Sequence, residues 1–106
     1  MNLLTREIIE RFEKTGFQDL GDDPLVIVKF FNPAGAGTWY ATEYDPEERK
    51  FFGFVDGLGF PEFGYFSLDE LEQVDCGFGL GIERDILFKP TKASEIDSIK
   101  AYMEDA

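Results

Sequence analysis

Apolar residues recur at helical spacing near both ends of the chain. At the amino end they are Leu4, Ile8, Ile9 and Phe12. This pattern predicts a helix over residues 5–14, because residues three and four apart share one face of a helix, and Gly16 supplies the left-handed conformation that ends it. At the carboxyl end the packing stripe consists of Ile96, Ile99 and Met103. Ser94 is expected to cap that second helix.

Strand patterns fill the chain between these helices. The unbroken apolar run at residues 25–31 predicts a central strand. Residues 38–44 and 51–55 are rich in aromatic and β-branched side chains and flank the turn sequence Asp45-Pro46, so we predict a β-hairpin. Further strands are predicted at residues 62–66 and 82–88.

Large side chains fall on both faces of the predicted hairpin. Phe52 and Phe54 alternate with Phe51 and Val55, a pattern that a strand with one solvated face does not need. One face is therefore expected to belong to the core. The other is expected to be covered by a helix or to form a recognition surface.

Polar residues mark a short helix and an unusual strand position. Ser67 and Glu70 have the spacing of a capping box, which predicts a helix over residues 68–74. In the strand predicted at residues 82–88, alternation places Arg84 on the same face as apolar neighbours. We expect a carboxylate from the hairpin or the short helix to pair with Arg84, because a lone buried charge is costly.

Together these elements predict an α+β fold. Its sheet is expected to be mainly antiparallel with about four to five strands, and three helices are expected to pack against it. A chain of 106 residues, of which 43% are hydrophobic, suits one domain over residues 1–106. No apolar run approaches the roughly 20 residues of a membrane span, and the single cysteine, Cys76, excludes an internal disulfide. A soluble, cytoplasmic protein is expected.

Acidic residues dominate the charge of the chain. The formal net charge is −12, from 22 acidic and 10 basic residues, and residues 42–85 hold twelve of the acids but three of the bases. Such a field repels nucleic-acid phosphates and anionic lipid, so direct binding to nucleic acid or membrane is not expected, and a basic protein surface is the expected partner. A solvated surface that only keeps the protein soluble is the alternative.

Seven acids of this region are candidate binding residues. They are Glu43, Asp45, Glu47, Glu48, Asp69, Glu70 and Glu72. Trp39 and Tyr40 are candidates for an aromatic binding face, and Arg84 is a candidate as the charge on an apolar face. These residues predict a protein-interaction module that works without a cofactor.

An enzyme is the alternative to a binding module. The chain has no histidine, so the usual general base near neutral pH is absent. The route left open is a hydrolase or nuclease that binds Mg²⁺ or Mn²⁺ through Glu43, Glu83 and Asp85. Arg84 or Lys50 would then stabilise an anionic transition state.

Several motifs in fixed order carry a resemblance to a known family. They are Lys29-Phe30-Phe31, Thr38-Trp39-Tyr40-Ala41-Thr42-Glu43-Tyr44-Asp45, Phe52-Gly53, Glu62-Phe63-Gly64-Tyr65-Phe66-Ser67-Leu68-Asp69-Glu70-Leu71 and Ile82-Glu83-Arg84-Asp85. Over residues 24–88 the chain resembles an uncharacterised bacterial family, domain of unknown function 2958, whose members are small single-domain proteins often met on plasmids, phages and other mobile elements. The resemblance carries over no catalytic residue. A chain this acidic, with aromatic residues interleaved among its carboxylates, is expected to present charges as a nucleic acid presents its phosphates and so to occupy, as an inhibitory module, the basic groove of a DNA-binding enzyme. The mobile-element setting of the family that the chain resembles favours this expectation, because such elements commonly benefit from blocking host defences.

Overall fold

The structure, a computed structural model, describes residues 2–105. Within that range the helices are α1 (Arg6–Thr15), α2 (Leu68–Gln73) and α3 (Asp97–Asp105). The strands are β1 (Leu25–Val26), β2 (Val28–Phe31), β3 (Thr38–Asp45), β4 (Lys50–Asp56), β5 (Glu62–Ser67), β6 (Glu83–Arg84) and β7 (Thr91–Lys92). Short 3₁₀ turns lie at Leu20–Asp22 and Ala93–Glu95. This content confirms the predicted α+β fold.

The main sheet is formed by β2 to β6. Its strand order is β5-β4-β3-β2-β6, and its neighbouring strands are antiparallel. The predicted hairpin is β3 and β4, and Asp45 opens its turn by accepting the N–H of Glu47 on Oδ1 at 3.0 Å. β1 and β7 pair separately as a small antiparallel ribbon.

The first two helices begin at capping residues. Thr5 caps α1, since its hydroxyl oxygen accepts the N–H of Ile8. Gly16 ends α1 at a φ of 68°, a region where glycine avoids the Cβ clash of other residues. Ser67 caps α2 by accepting the N–H of Glu70 at 3.2 Å, which is one of the two bonds of the predicted capping box.

Apolar side chains pack on both faces of the main sheet. The first core brings α1 and α2 against one face and contains Leu3, Phe12, Ile27, Val28, Phe30, Trp39, Ala41, Phe51, Leu68, Leu71 and Ile82. The second core brings α3 against the other face and contains Val26, Tyr40, Phe54, Ala93 and Ile99. Helices therefore cover part of each face of the hairpin, which is the packing that its two sets of large side chains require.

The apolar run at residues 25–31 is divided between two sheets. β1 pairs with β7, whereas β2 joins the main sheet between β3 and β6. The division falls at Ile27, whose N–H donates to the carbonyl oxygen of Ala41 at 2.8 Å. The prediction of one continuous central strand is therefore correct in position but not in continuity.

The strand predicted at residues 82–88 is wrong beyond Arg84. β6 ends there because Asp85 begins a turn, in which its carbonyl oxygen accepts the N–H of Phe88 at 3.1 Å. Ile86 is consequently exposed, whereas Phe88 packs beside Tyr40 against the second core. Period-two alternation fails because the backbone is no longer extended.

Ser94 does not cap the final helix. It lies in the 3₁₀ turn Ala93–Glu95, and α3 begins at Asp97. The Ser94 hydroxyl donates to Oδ2 of Asp23 at 2.6 Å and its N–H donates to Oδ1 at 2.9 Å. These bonds lower the pKa of Asp23 because donated protons stabilise the charged carboxylate. The predicted packing stripe is confirmed against the second core, at Ile96, Ile99 and Met103.

Candidate functional site

A β-bulge in β3 decides which side chains face the candidate site. The register of β3 on β4 shifts between Ala41, which pairs with Gly53, and Glu43, which pairs with Phe52. Thr42 is the extra residue; it is buried, and its hydroxyl donates to the carbonyl oxygen of Phe52 at 3.1 Å. Simple alternation would place Glu43 on the side of the first core with Ala41. The bulge turns Glu43 to the opposite face, beside Phe52.

Gln18 attaches the loop after α1 to this bulge. Its side-chain NH₂ donates to the carbonyl oxygens of Thr42 at 3.0 Å and Leu25 at 2.8 Å, and its side-chain oxygen accepts the N–H of Leu25 at 2.6 Å. Its backbone N–H donates to Oε2 of Glu43 at 3.4 Å. These contacts hold the loop residue Phe17 beside Glu43, where both line the same hollow.

We call the resulting depression the acidic groove. It consists of two adjoining hollows that share Glu43, Phe52 and Tyr65. The first has a volume of about 460 Å³ and is also lined by Tyr44, Asp45, Glu48 and Lys50. The second has a volume of about 370 Å³ and is also lined by Phe17, Gln18, Asp19 and Leu20.

Exposed rings and carboxylates lie side by side in the acidic groove. Tyr65 is 77% exposed and Phe17 is 83% exposed, while half-buried Phe52 holds its ring centroid 5.0 Å from that of Tyr65. The carboxylates of the lining belong to Asp19, Glu43, Asp45 and Glu48. Aromatic faces and carboxylates both attract a cation, the first through the ring quadrupole and the second through its charge. The lining therefore suits an arginine or lysine side chain from another molecule.

Tyr44 joins the acidic groove to the first core. Its ring centroid lies 4.8 Å from that of Phe51 and 6.0 Å from that of Phe12. Burial raises the pKa of the Tyr44 phenol above its ordinary value, because the charged phenolate is poorly solvated there. Tyr44 is consequently neutral at physiological pH, and the charge of the groove comes from its acids and from Lys50.

The structure brings part of the predicted acidic surface into the groove. Glu43, Asp45 and Glu48 line it, and Glu47 is exposed in the adjoining turn. The Oδ1 atom of Asp45 also accepts the N–H groups of Glu47 and Glu48, which fixes the turn beside the groove. These four acids form one continuous end of the hairpin.

The remaining predicted acids lie on α2. Two of them bind Arg49 of the hairpin turn, since Asp69 Oδ1 lies 2.8 Å from Nε and Glu72 Oε1 lies 2.9 Å from Nη2. The hydrogen bond to Asp69 raises the pKa of Arg49. Glu70 is exposed on the same helix. Asp69 and Glu72 therefore tie the helix to the hairpin, and their charge is partly neutralised.

Trp39 and Tyr40 do not form an exposed aromatic face. Trp39 is 7% exposed in the first core, and Tyr40 is 9% exposed in the second. The exposed rings of the groove, Phe17 and Tyr65, were missed by sequence reasoning. Phe17 did carry a signal, because it is an aromatic residue in an acidic loop outside any predicted helix or strand.

The three predicted metal ligands are not brought together. Glu83 pairs with Phe31, and Phe31 pairs with Thr38, so Glu83 lies level with Thr38 across the sheet. Thr38 is five residues from Glu43 along β3. Five residues of a strand span about 16 Å at the ordinary rise. Within residues 2–105 no group of three or more Asp, Glu or Cys side chains is arranged to hold a metal ion. Asp85 instead lies 3.7 Å from the Nζ of Lys29.

Arg84 lies on β6, at the opposite edge of the main sheet from β5. Its guanidinium donates to the backbone carbonyl oxygen of Asn2. The predicted ion pair between Arg84 and a carboxylate of the hairpin or of α2 stays a prediction. The contact described here is to the amino-terminal segment. It fastens that segment to the sheet, away from the acidic groove.

Comparison with known proteins identifies a family. The family described as "Protein of unknown function (DUF2958)" matches residues 3–106, which is nearly the whole chain. No curated protein and no solved structure matches the chain. None of the helices formed by residues 2–105 combines the length and the apolar character that a bilayer crossing requires.

Proposed function

The chain belongs to the DUF2958 family, for which no function is established, and we propose a function from the geometry of its acidic groove. The protein is an interaction module that binds a basic protein surface through this groove. The observation that carries this proposal is the lining of the groove. Exposed rings of Phe17 and Tyr65 lie among carboxylates of a chain whose net charge is −12. Phe17 and Tyr65 would contribute stacking area, and the acids would attract and orient the partner.

The finer form of the proposal is an inhibitor that works in the cytoplasm on behalf of a mobile element. In that form the groove and the adjoining Glu47 occupy a basic surface that would otherwise bind nucleic acid. The support is the acidity of the hairpin end together with the resemblance to a family met on mobile elements. An added nucleic acid should then compete with this protein for the same partner.

Binding of arginine peptides tests the proposed function. An eight-residue arginine peptide, a lysine peptide and a glutamate peptide of equal length are titrated against the protein while fluorescence anisotropy of a label on the peptide is followed. The arginine peptide should bind best, because guanidinium stacks on aromatic rings as well as pairing with carboxylates. Its affinity should fall steeply with added salt, since the screening length is about 8 Å at physiological ionic strength.

Two variants of equal charge separate the groove from the overall field. The groove variant carries Glu43→Gln, Asp45→Asn and Glu48→Gln. The control variant removes three exposed carboxylates that do not line the groove, through Glu10→Gln, Glu13→Gln and Glu95→Gln. We expect the groove variant to bind the arginine peptide about tenfold more weakly and the control about twofold more weakly. Equal losses in the two variants would show that the field of the whole protein, and not the groove, binds the peptide.

A further inference from the structure

Strand β5 leaves one side of its backbone open at the edge of the main sheet. It pairs with β4 from Glu62 to Ser67, and among residues 2–105 no strand lies on its other side. Pro61 precedes β5 and α2 follows it, so the open edge is six residues long. An exposed edge of this kind can pair with an extended segment of another chain.

The register shows which backbone groups point outward. The N–H of Leu68 donates to the carbonyl oxygen of Arg49 at 2.9 Å, so these two residues form a hydrogen-bonded pair. Such pairs alternate along an antiparallel ladder. The residues of β5 whose N–H and C=O groups face β4 are therefore 62, 64 and 66. The outward-facing N–H and C=O groups that are open to a partner belong to Phe63 and Tyr65, because the C=O of Ser67 accepts the first hydrogen bond of α2.

The outward-facing backbone belongs to the residues whose side chains are on the groove side. The Tyr65 side chain lines the acidic groove, and residues directly opposite each other in an antiparallel pair send their side chains to the same face. A partner residue opposite Tyr65 would therefore lie about 4.8 Å away in the strand spacing, with its side chain over the exposed ring. Backbone pairing and cation binding are thus compatible in one partner segment.

We propose that the basic partner binds as an extended antiparallel strand along β5, with arginine side chains on the groove side beside Tyr65. This inference rests on the proposed function and specifies the form of its partner. Charge favours this occupant over a second copy of the chain, because a second copy would bring another net charge of −12 against the same surface.

Amide hydrogen exchange tests the strand directly. The probe is an eight-residue peptide of alternating arginine and valine. In the free protein the amides of Gly64 and Phe66 should be protected by β4, whereas those of Phe63 and Tyr65 should exchange quickly. Saturation with the peptide should slow exchange at Phe63 and Tyr65 by about tenfold or more, because strand pairing occupies their N–H groups.

Two methylated peptides provide the matched control. In an antiparallel pair with arginines on the groove side, the arginine N–H groups face β5 and the valine N–H groups face away. N-methylation of the arginines should therefore abolish the new protection, and N-methylation of the valines should leave it. The variant Tyr65→Ala keeps the backbone donor and should retain the protection at Phe63 while binding the peptide several-fold more weakly.

The outcomes separate this inference from the proposed function. If the peptide binds in the groove but Phe63 and Tyr65 stay unprotected, or if valine methylation is the change that abolishes protection, then the antiparallel strand is refuted while the binding module survives. If Phe63 and Tyr65 become protected on raising protein concentration without peptide, a second copy is the occupant and the inference is overturned. If no arginine peptide binds, both the inference and the proposed function fail.

Discussion

Replacing Gln18 with alanine should destabilise the protein and loosen one wall of the acidic groove. The Gln18 side chain makes three hydrogen bonds, at 2.6, 2.8 and 3.0 Å, and all are partly buried. In the variant, the N–H of Leu25 and the carbonyl oxygens of Leu25 and Thr42 lose this partner. The loop carrying Phe17 then loses its attachment to the bulge.

The size of the effect follows from the number of bonds. Each such bond contributes a net of about 0.5–1.5 kcal/mol, so the free energy of unfolding should fall by about 2–4 kcal/mol. For a chain of about 100 residues this corresponds to a decrease in melting temperature of roughly 10–25 °C. Urea unfolding followed by the fluorescence of Trp39, the buried tryptophan of the first core, measures the change.

Two further variants make the test specific. Gln73→Ala removes an exposed glutamine at the end of α2 and should change the free energy by less than about 0.5 kcal/mol. Gln18→Glu keeps the acceptor for Leu25 but sets a carboxylate against two carbonyl oxygens, so near neutral pH it should be at least as damaging as alanine. If Gln18→Ala unfolds at the same urea concentration as wild type, then the loop is not held by these bonds, and the account of how Phe17 reaches the groove is wrong.

Two other predictions concern the sheet and the acid stability of the protein. A Cβ at Gly53 would lie 1.9 Å from the carbonyl oxygen of Tyr40, whereas one at the paired Gly64 would meet nothing within 4 Å. Gly53→Ala should therefore lower the free energy of unfolding by about 3 kcal/mol or more, and Gly64→Ala should lower it by less than about 1 kcal/mol. Similar urea midpoints for the two variants would contradict the close approach of Gly53 to Tyr40. The hydrogen bonds that lower the pKa of Asp23 also stabilise the fold. Their contribution is complete at a pH above the pKa of Asp in the unfolded chain, about 3.9, and is lost as the pH falls through the lower pKa of Asp23 in the folded protein. Asp23→Asn should flatten the fall in unfolding free energy below about pH 4. If the curves of Asp23→Asn and wild type run parallel, the hydrogen bonds between Asp23 and Ser94 do not account for the loss of stability in acid.

The elements were predictable where their signals act between near neighbours. Ser67 bonds the N–H three residues ahead, and Asp45 bonds the N–H two residues ahead. Those distances are short in the chain as well as in space, so residue type and spacing are enough to find them. The antiparallel sheet followed, because short turns between strands permit little else.

The candidate site depended on contacts between distant residues, and these could not be predicted. Gln18 reaches Thr42, which lies 24 residues away, and no local pattern indicates that bond. Ser94 was expected to act on its own helix but is bound by Asp23, 71 residues away. Trp39 and Tyr40 were expected in the site because aromatic residues serve both cores and interfaces, and only the placement of the helices decides which. The separation of Glu43 from Glu83 likewise follows from strand order.

The bulge at Thr42 makes β3 sensitive to the deletion of a single residue. Before it, odd-numbered residues of β3 face the first core; after it, even-numbered ones do, as Trp39 and Tyr44 show by packing with the same core. The alternation of side chains in β3 is therefore reversed at one residue, Thr42. A deletion there would exchange the environments of Glu43 and Tyr44, sending a carboxylate inward and a phenol ring outward. A one-residue shift of β3 against β4 would therefore disrupt the first core and the acidic groove together. A graft of the hairpin onto another scaffold keeps Glu43 on the groove side only if the extra residue, Thr42, is transferred with it.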